Sequence, residues 1–152
     1  MPTIGPEAPS AGQVAGESRP LLVVVACALV DPDGRILIQE RPAGRPMAGF
    51  WEFPGGKLGA RESPETCLVR ELDEELGIRV DPACLAPLAF TSHAYETFHL
   101  LMPLWVCRKW RGEPEGREGQ ALRWVRPRAL RELPLLPADV PLIPFLEELL
   151  GP

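Results

Sequence analysis

The chain is poor in the ligands of a zinc site. It has two histidines, His93 and His99, and four cysteines, Cys27, Cys67, Cys84 and Cys107. No two cysteines form a C-x-x-C pair and none lies near a histidine in sequence. That spacing excludes the common zinc motifs, and a chain of 152 residues needs no disulfide framework. Free thiols, buried or half-buried in a reducing cytosol, are the reading the cysteines support. Basic charge is also lacking. Sixteen Lys and Arg against 21 Asp and Glu leave a formal charge of −5. Such a chain has no overall field to draw it to duplex DNA or RNA, so no direct nucleic-acid partner is expected. A metal-mediated contact with a nucleotide stays open. Long apolar runs are missing except for LLVVVACALV at 21–30, about half a membrane span. The segment before it carries Glu7 and Glu17 with only Arg19, which is not the basic flank of a signal peptide. The expectation is a cytoplasmic monomer with no membrane partner.

What is present suits one domain with one core: 45% apolar and 24% charged residues. Residues 1–20, rich in Pro, Gly, Ala and Ser, have little to bury and predict a disordered arm, leaving the domain at 21–152. Strands are expected at 21–30 and 35–40, as a hairpin or near neighbours across the turn DPDG. A short strand, FWEFP, is expected to end at Pro54 and to give way to a loop over 55–63. Ser63 as N-cap, Pro64 in the first turn and Gly77 as the stop predict a helix over 64–76. Its Leu68, Leu72 and Leu76 recur at i, i+4, i+8 and must face a sheet. Further strands are expected at 85–92, 98–107 and 121–125, with Pro103 placing the second of these at an edge or bulge. Short helices are expected at 126–132 and 141–150. The order implies an α+β fold, with helices on a mixed sheet.

The 64–76 helix carries an unusual load. Glu71, Glu74 and Glu75 stand at i, i+3, i+4, on one side of the helix, with Asp73 beside them and only Arg70 to compensate. Like charges so spaced repel by roughly 0.2–0.5 kcal/mol per pair. A solvated acidic face is one reading, but lysines are not interleaved. A hard divalent cation, Mg²⁺ or Mn²⁺, would turn repulsion into ligation. Gly55-Gly56 lets the backbone approach a ligand and offer a carbonyl to it. Glu62 can fold back on the helix and pair with Arg70, a structural role that leaves a catalytic one open.

From Gly56 to Ile78 the spacing reads G-x5-E-x7-R-E-L-x-E-E-x-G-I. This stretch resembles the box of the Nudix hydrolases without a departure. FPGGK before it, RGEPEGREGQ after it and LPADVPLI near the end are similar to the MutT-like branch, the 8-oxo-dGTP diphosphatases. The resemblance implies a Nudix-type α/β/α sandwich and hydrolysis of a nucleoside triphosphate to monophosphate and pyrophosphate. It implies Mg²⁺ on Glu71, Glu74 and Glu75, with the Gly56 carbonyl as a further ligand. Glu118 matches a loop glutamate that binds metal or orients the water, beside the plainer reading of an exposed loop acid. Arg41 matches an arginine near the substrate, beside the plainer reading of a surface arginine after a strand. Asp139 stands where the pattern usually has Asn. An ionised Asp would accept from N7–H of 8-oxoguanine but repel O6; a protonated one could serve both. Phe53, Leu101 and Trp105 are candidates to line the base pocket, beside the commoner reading of large apolar strand residues as core. Two other functions are weighed: hydrolysis of CTP or a modified pyrimidine triphosphate, and a nucleotide-sensing module without catalysis. The module would be expected to lose box carboxylates, and this chain keeps them.

Overall fold

One strand, Leu21–Leu29 (β1), organises the molecule. A computed structural model describes residues 19–152, so the arm expected at 1–20 lies almost wholly outside the described residues. Both edges of β1 are occupied. On one edge it pairs antiparallel with Gly55–Lys57 (β4), on the other parallel with His99–Cys107 (β6). Ala86–Ala94 (β5) pairs antiparallel with the far edge of β6. This mixed sheet runs β4-β1-β6-β5. A second, smaller sheet places Ile36–Glu40 (β2) between Trp51–Glu52 (β3) and Leu122–Val125 (β7).

The helix Pro64–Leu76 (α1) lies on one face of the larger sheet. Leu68, Leu72 and Leu76, each fully buried, meet Val25, Cys27 and Leu29 there. The opposite face packs Ala26, Ala28 and Val30 with Ile143 and Leu146 of the C-terminal helix Ile143–Leu150 (α2). The fold is therefore α+β, with helices on both faces of a mixed sheet. Ser63 caps α1 through its Oγ, which accepts from Thr66 N–H at 3.1 Å. Gly77 ends it in the left-handed region at φ 69°.

Two sequence expectations fail here and one holds only in its looser form, as near neighbours, each for a long-range reason. The strands at 21–30 and 35–40 do not form a hairpin. They share a single bridge, Val30 to Ile36, and then part into different sheets, because β4 and β6 already fill both edges of β1. The loop expected from Gly55 begins instead as a strand, since glycines with weak strand propensity are held by β1. Pro103 sits in an interior strand, not at an edge. The β1–β6 pairing lapses between Val23–Leu101 and Ala26–Leu104, where proline has no N–H to give, and the bulge falls in β5 at Pro87–Ala89.

Candidate active site

A cleft of about 740 Å³ runs between the two sheets, lined by residues of β1 to β4, β6, α1 and the loops between them. At one end α1 presents Glu71 and Glu75, joined by Glu118 from the loop before β7. At the other end are Arg41, Phe53 and Asp139, with Tyr95 and Phe98 from the β5–β6 turn. Glu71, Glu75, Glu118, Arg41, Phe53 and Asp139, all singled out from the sequence, thus share one cleft with Gly56. Glu74 does not line it: its side chain is 55% exposed and meets Arg70. Leu101 and Trp105 are also elsewhere. Side chains alternate along β6, so Leu100 and Met102 reach the cleft while Trp105 packs under α1.

The glycine pair is a steric requirement. A methyl group on Gly55 would overlap the Val25 carbonyl, and one on Gly56 would overlap the Glu71 carboxyl. The first obstacle is backbone, the second the end of a flexible side chain. Gly55→Ala should therefore destabilise the protein by about 3 kcal/mol. Gly56→Ala should fold with little loss, yet displace Glu71 and lower activity. Equal melting temperatures for the two variants would contradict this assignment.

Arg70 holds the loop before α1. Its Nη2 and Nε donate to Glu62 Oε1 and Oε2 at 2.7 and 3.1 Å. Its Nη1 donates to Glu71 at 3.0 Å and Glu74 at 3.2 Å. The Arg70 guanidinium, helped by the Gly59 N–H, pulls the Glu62 carboxyl down from 4.5 to about 2. The stability this lends is full above 4.5 and is lost as pH falls through about 2. In Arg70→Ala the Glu62 midpoint, followed by carboxyl NMR, should climb toward 4.5 without reaching it, because Gly59 still donates. An unmoved midpoint would refute Arg70 as the cause.

Glu75 behaves oppositely. Burial, then the Glu71 carboxylate, raises it to about 8 against the Gly55 N–H, which donates to its Oε2 at 3.2 Å. Burial also raises Glu71, despite Arg70. Glu118 pairs with Arg45 at 3.3 Å across the mouth of the cleft. Among the described residues no three acidic or His/Cys groups already close on one point. The donor chemistry nonetheless fits a hard cation. Glu71 and Glu118 both raise the proton affinity of Glu75, Glu118 also raises that of Glu71, and Gly56 leaves backbone room beside Glu71. Glu71, Glu75 and Glu118 are the residues that could hold a divalent ion.

Asp139 is 2% exposed and its Oδ2 accepts from Phe53 N–H at 3.2 Å. Burial first, and Glu52 second, push its carboxyl well above the usual range. Glu52 pairs with Arg41 at 3.1 Å and is itself raised by burial. Arg41 Nε also donates to Pro46 O at 2.7 Å. Sequence reasoning misses Glu52, Gln39, Gln120, Tyr95, Phe98 and Arg45. Gln39 offers a signal: a polar residue ending the apolar run ILI.

A family model described as a NUDIX domain matches residues 25–144. A CTP pyrophosphohydrolase of Escherichia coli (strain K12) is 39% identical over 124 residues, covering 80% of this chain and 89% of that protein. An 8-oxo-dGTP diphosphatase of the same organism is 36% identical over 117 residues, covering 77% and 89%. The solution structure of the E. coli ORF135 protein matches with a TM-score of 0.77 and 35% identity, covering 91% of this chain and 95% of that one. The crystal structure of a MutT NUDIX hydrolase from Burkholderia pseudomallei matches with a TM-score of 0.72 and 31% identity, covering 82% and 96%. No helix among the described residues is long and apolar enough to cross a membrane.

Proposed function

This chain belongs to the NUDIX hydrolase family, and from that premise we propose that it hydrolyses 8-oxo-dGTP to 8-oxo-dGMP and pyrophosphate with a divalent cation, Mg²⁺ by preference. The observation that carries the reading is that two kinds of group share one cleft. It has a cluster of carboxylates at one end and a buried acid, Asp139, at the other. A nucleoside triphosphate has the matching polarity, an anionic tail and a flat heterocycle.

A bound divalent cation neutralises phosphate charge and makes water a better nucleophile at neutral pH. The protein supplies position and proton transfer. Water adds to one phosphorus, the P–O bond to the leaving group breaks, and the water's proton passes to Glu75. Burial and like charge raise the proton affinity of Glu75, and beside a held cation it would shed its own proton, freeing the carboxylate to act as base near neutral pH. Arg45 and Lys57 face the cleft and can meet the phosphates.

Asp139, held as a neutral acid, offers one donor and one acceptor. Those match O6 and N7–H of 8-oxoguanine. Guanine presents acceptors at both O6 and N7, so one partner would go unmet. A second reading has a specific support. Cytosine also offers an acceptor and a donor side by side, at N3 and N4, and one relative is named CTP pyrophosphohydrolase. A comparison of kcat/KM for 8-oxo-dGTP, dGTP, CTP and dCTP separates them. We expect 8-oxo-dGTP to exceed dGTP by about a hundredfold or more. Parity of those two would sink the oxidised-purine reading, and a preference for CTP would select the second.

A further inference from the structure

Two buried glutamines with no part in the chemistry above line the same cleft beside the acidic face. Gln39, in β2, is 5% exposed, and Gln120, after the Glu118 loop, is 8% exposed. Burying two amides is costly unless they are satisfied, and among the described residues no buried side-chain polar atom lacks a partner. Their hydrogen bonds run in one direction. Glu118 N–H donates to Gln120 Oε1 at 2.8 Å. Gln120 Nε2 donates to Gln39 Oε1 at 3.2 Å and to the Glu75 main-chain carbonyl at 3.0 Å. Gln39 Nε2 donates to Glu75 Oε2 at 3.4 Å. The main-chain contacts fix which end of the Gln120 amide is nitrogen, and that fixes Gln39 in turn.

The chain of bonds has a consequence for Glu75. Its Oε2 accepts from both Gln39 and Gly55, whereas its Oε1 accepts no hydrogen bond among the described residues. We infer that Gln39 and Gln120 are positioning residues that lock the Glu118 loop to Glu75 and commit Glu75 Oε2 to the protein, leaving Oε1 to meet the cation or take the proton. The inference rests on the proposed role of the acidic face.

Methionine at either position keeps length and apolar bulk but ends the chain of bonds. We would titrate Mn²⁺ into wild type, Gln39→Met, Gln120→Met and the double variant without substrate, reading free Mn²⁺ by electron paramagnetic resonance, and then measure kcat and KM. Each single variant should weaken Mn²⁺ binding and kcat by about 10- to 100-fold, with KM moving by less than about threefold. The double variant should be little worse than the weaker single, since a chain once cut is not cut again. Mn²⁺ affinity and kcat within about twofold of wild type in folded variants would overturn the inference, even with a lower melting temperature, because a packing role predicts that result. Gln39→Met touches only side-chain links and decides the matter if Gln120→Met does not fold. A wild type that binds no Mn²⁺ would overturn it as well. If wild type binds Mn²⁺ but releases no pyrophosphate from any nucleotide, the substrate proposal fails while the Mn²⁺ comparison still judges the glutamines.

Discussion

Glu75→Gln should lower kcat by about a thousandfold and yet raise the melting temperature in EDTA. Both effects come from one feature, a carboxyl buried beside other carboxyls and raised to about 8 from 4.5. The folded protein then holds a proton on Glu75 that the unfolded chain gives up between those two values. Its stability is full below 4.5 and declines as pH rises through about 8. At pH 7 the penalty amounts to at most about 3 kcal/mol, less where water reaches the carboxyl. Glutamine stays neutral, keeps the hydrogen bond from Gly55 through its Oε1, and escapes that penalty. For a domain of this size the gain should be a few degrees, about 5 °C. Added Mg²⁺ should stabilise wild type more than the variant. The expected pattern is a site that costs the fold stability in exchange for chemistry. A variant with kcat within about tenfold of wild type would remove Glu75 from the proposed base role. One less stable in EDTA across pH 6–8 would contradict the burial argument.

Asp139→Leu should lower kcat/KM for 8-oxo-dGTP by about a hundredfold or more, because it strips donor and acceptor together and leaves Phe53 N–H without a partner. Asp139→Asn restores one donor and one acceptor and should stay within about tenfold of wild type. Asp139 feels the charges of both Glu52 and Arg41, and Tyr95 in turn feels that of Asp139. Burial and Glu52 keep Asp139 protonated to well above the ordinary carboxyl range. As pH climbs through that raised value the carboxylate still accepts from N7–H but loses its donor and sets an acceptor against O6, so activity toward 8-oxo-dGTP should fall on the alkaline side. Asp139→Asn cannot ionise and should lose that limb. A wild-type profile identical to that of Asp139→Asn would show that the proton on Asp139 plays no part.

The parts of this molecule set by local chemistry are legible in the sequence. Ser63, Pro64 and Gly77 bound α1 by capping, and three leucines at helical spacing identify its buried face. Glu62 reaching Arg70 is also a near-neighbour event, eight residues apart in sequence. The parts set by distant partners are not legible there. β4 exists because β1 accepts it, and the glycines that make it possible are the residues that disguise it. The parting of β1 and β2 depends on β6, some seventy residues on. One step along β6 turns a side chain from one face of the sheet to the other, so Leu100 and Met102 reach the cleft while Trp105 takes the core place that large apolar strand residues usually have. Glu52, Gln39 and Gln120 carry no motif, and their meaning arises only where two sheets and a loop converge on α1. Asp139 is visible as a departure from a pattern, but its burial is not.

We propose that the acidic end of this cleft works with a divalent cation to split a nucleoside triphosphate into monophosphate and pyrophosphate. Phosphorus NMR of 8-oxo-dGTP incubated with the protein and Mg²⁺ tests it most directly. The expected products are 8-oxo-dGMP and pyrophosphate in equal amounts, with formation that stops in EDTA and almost none with Glu75→Gln. Orthophosphate and a diphosphate as products, or an undiminished rate in EDTA, would contradict it.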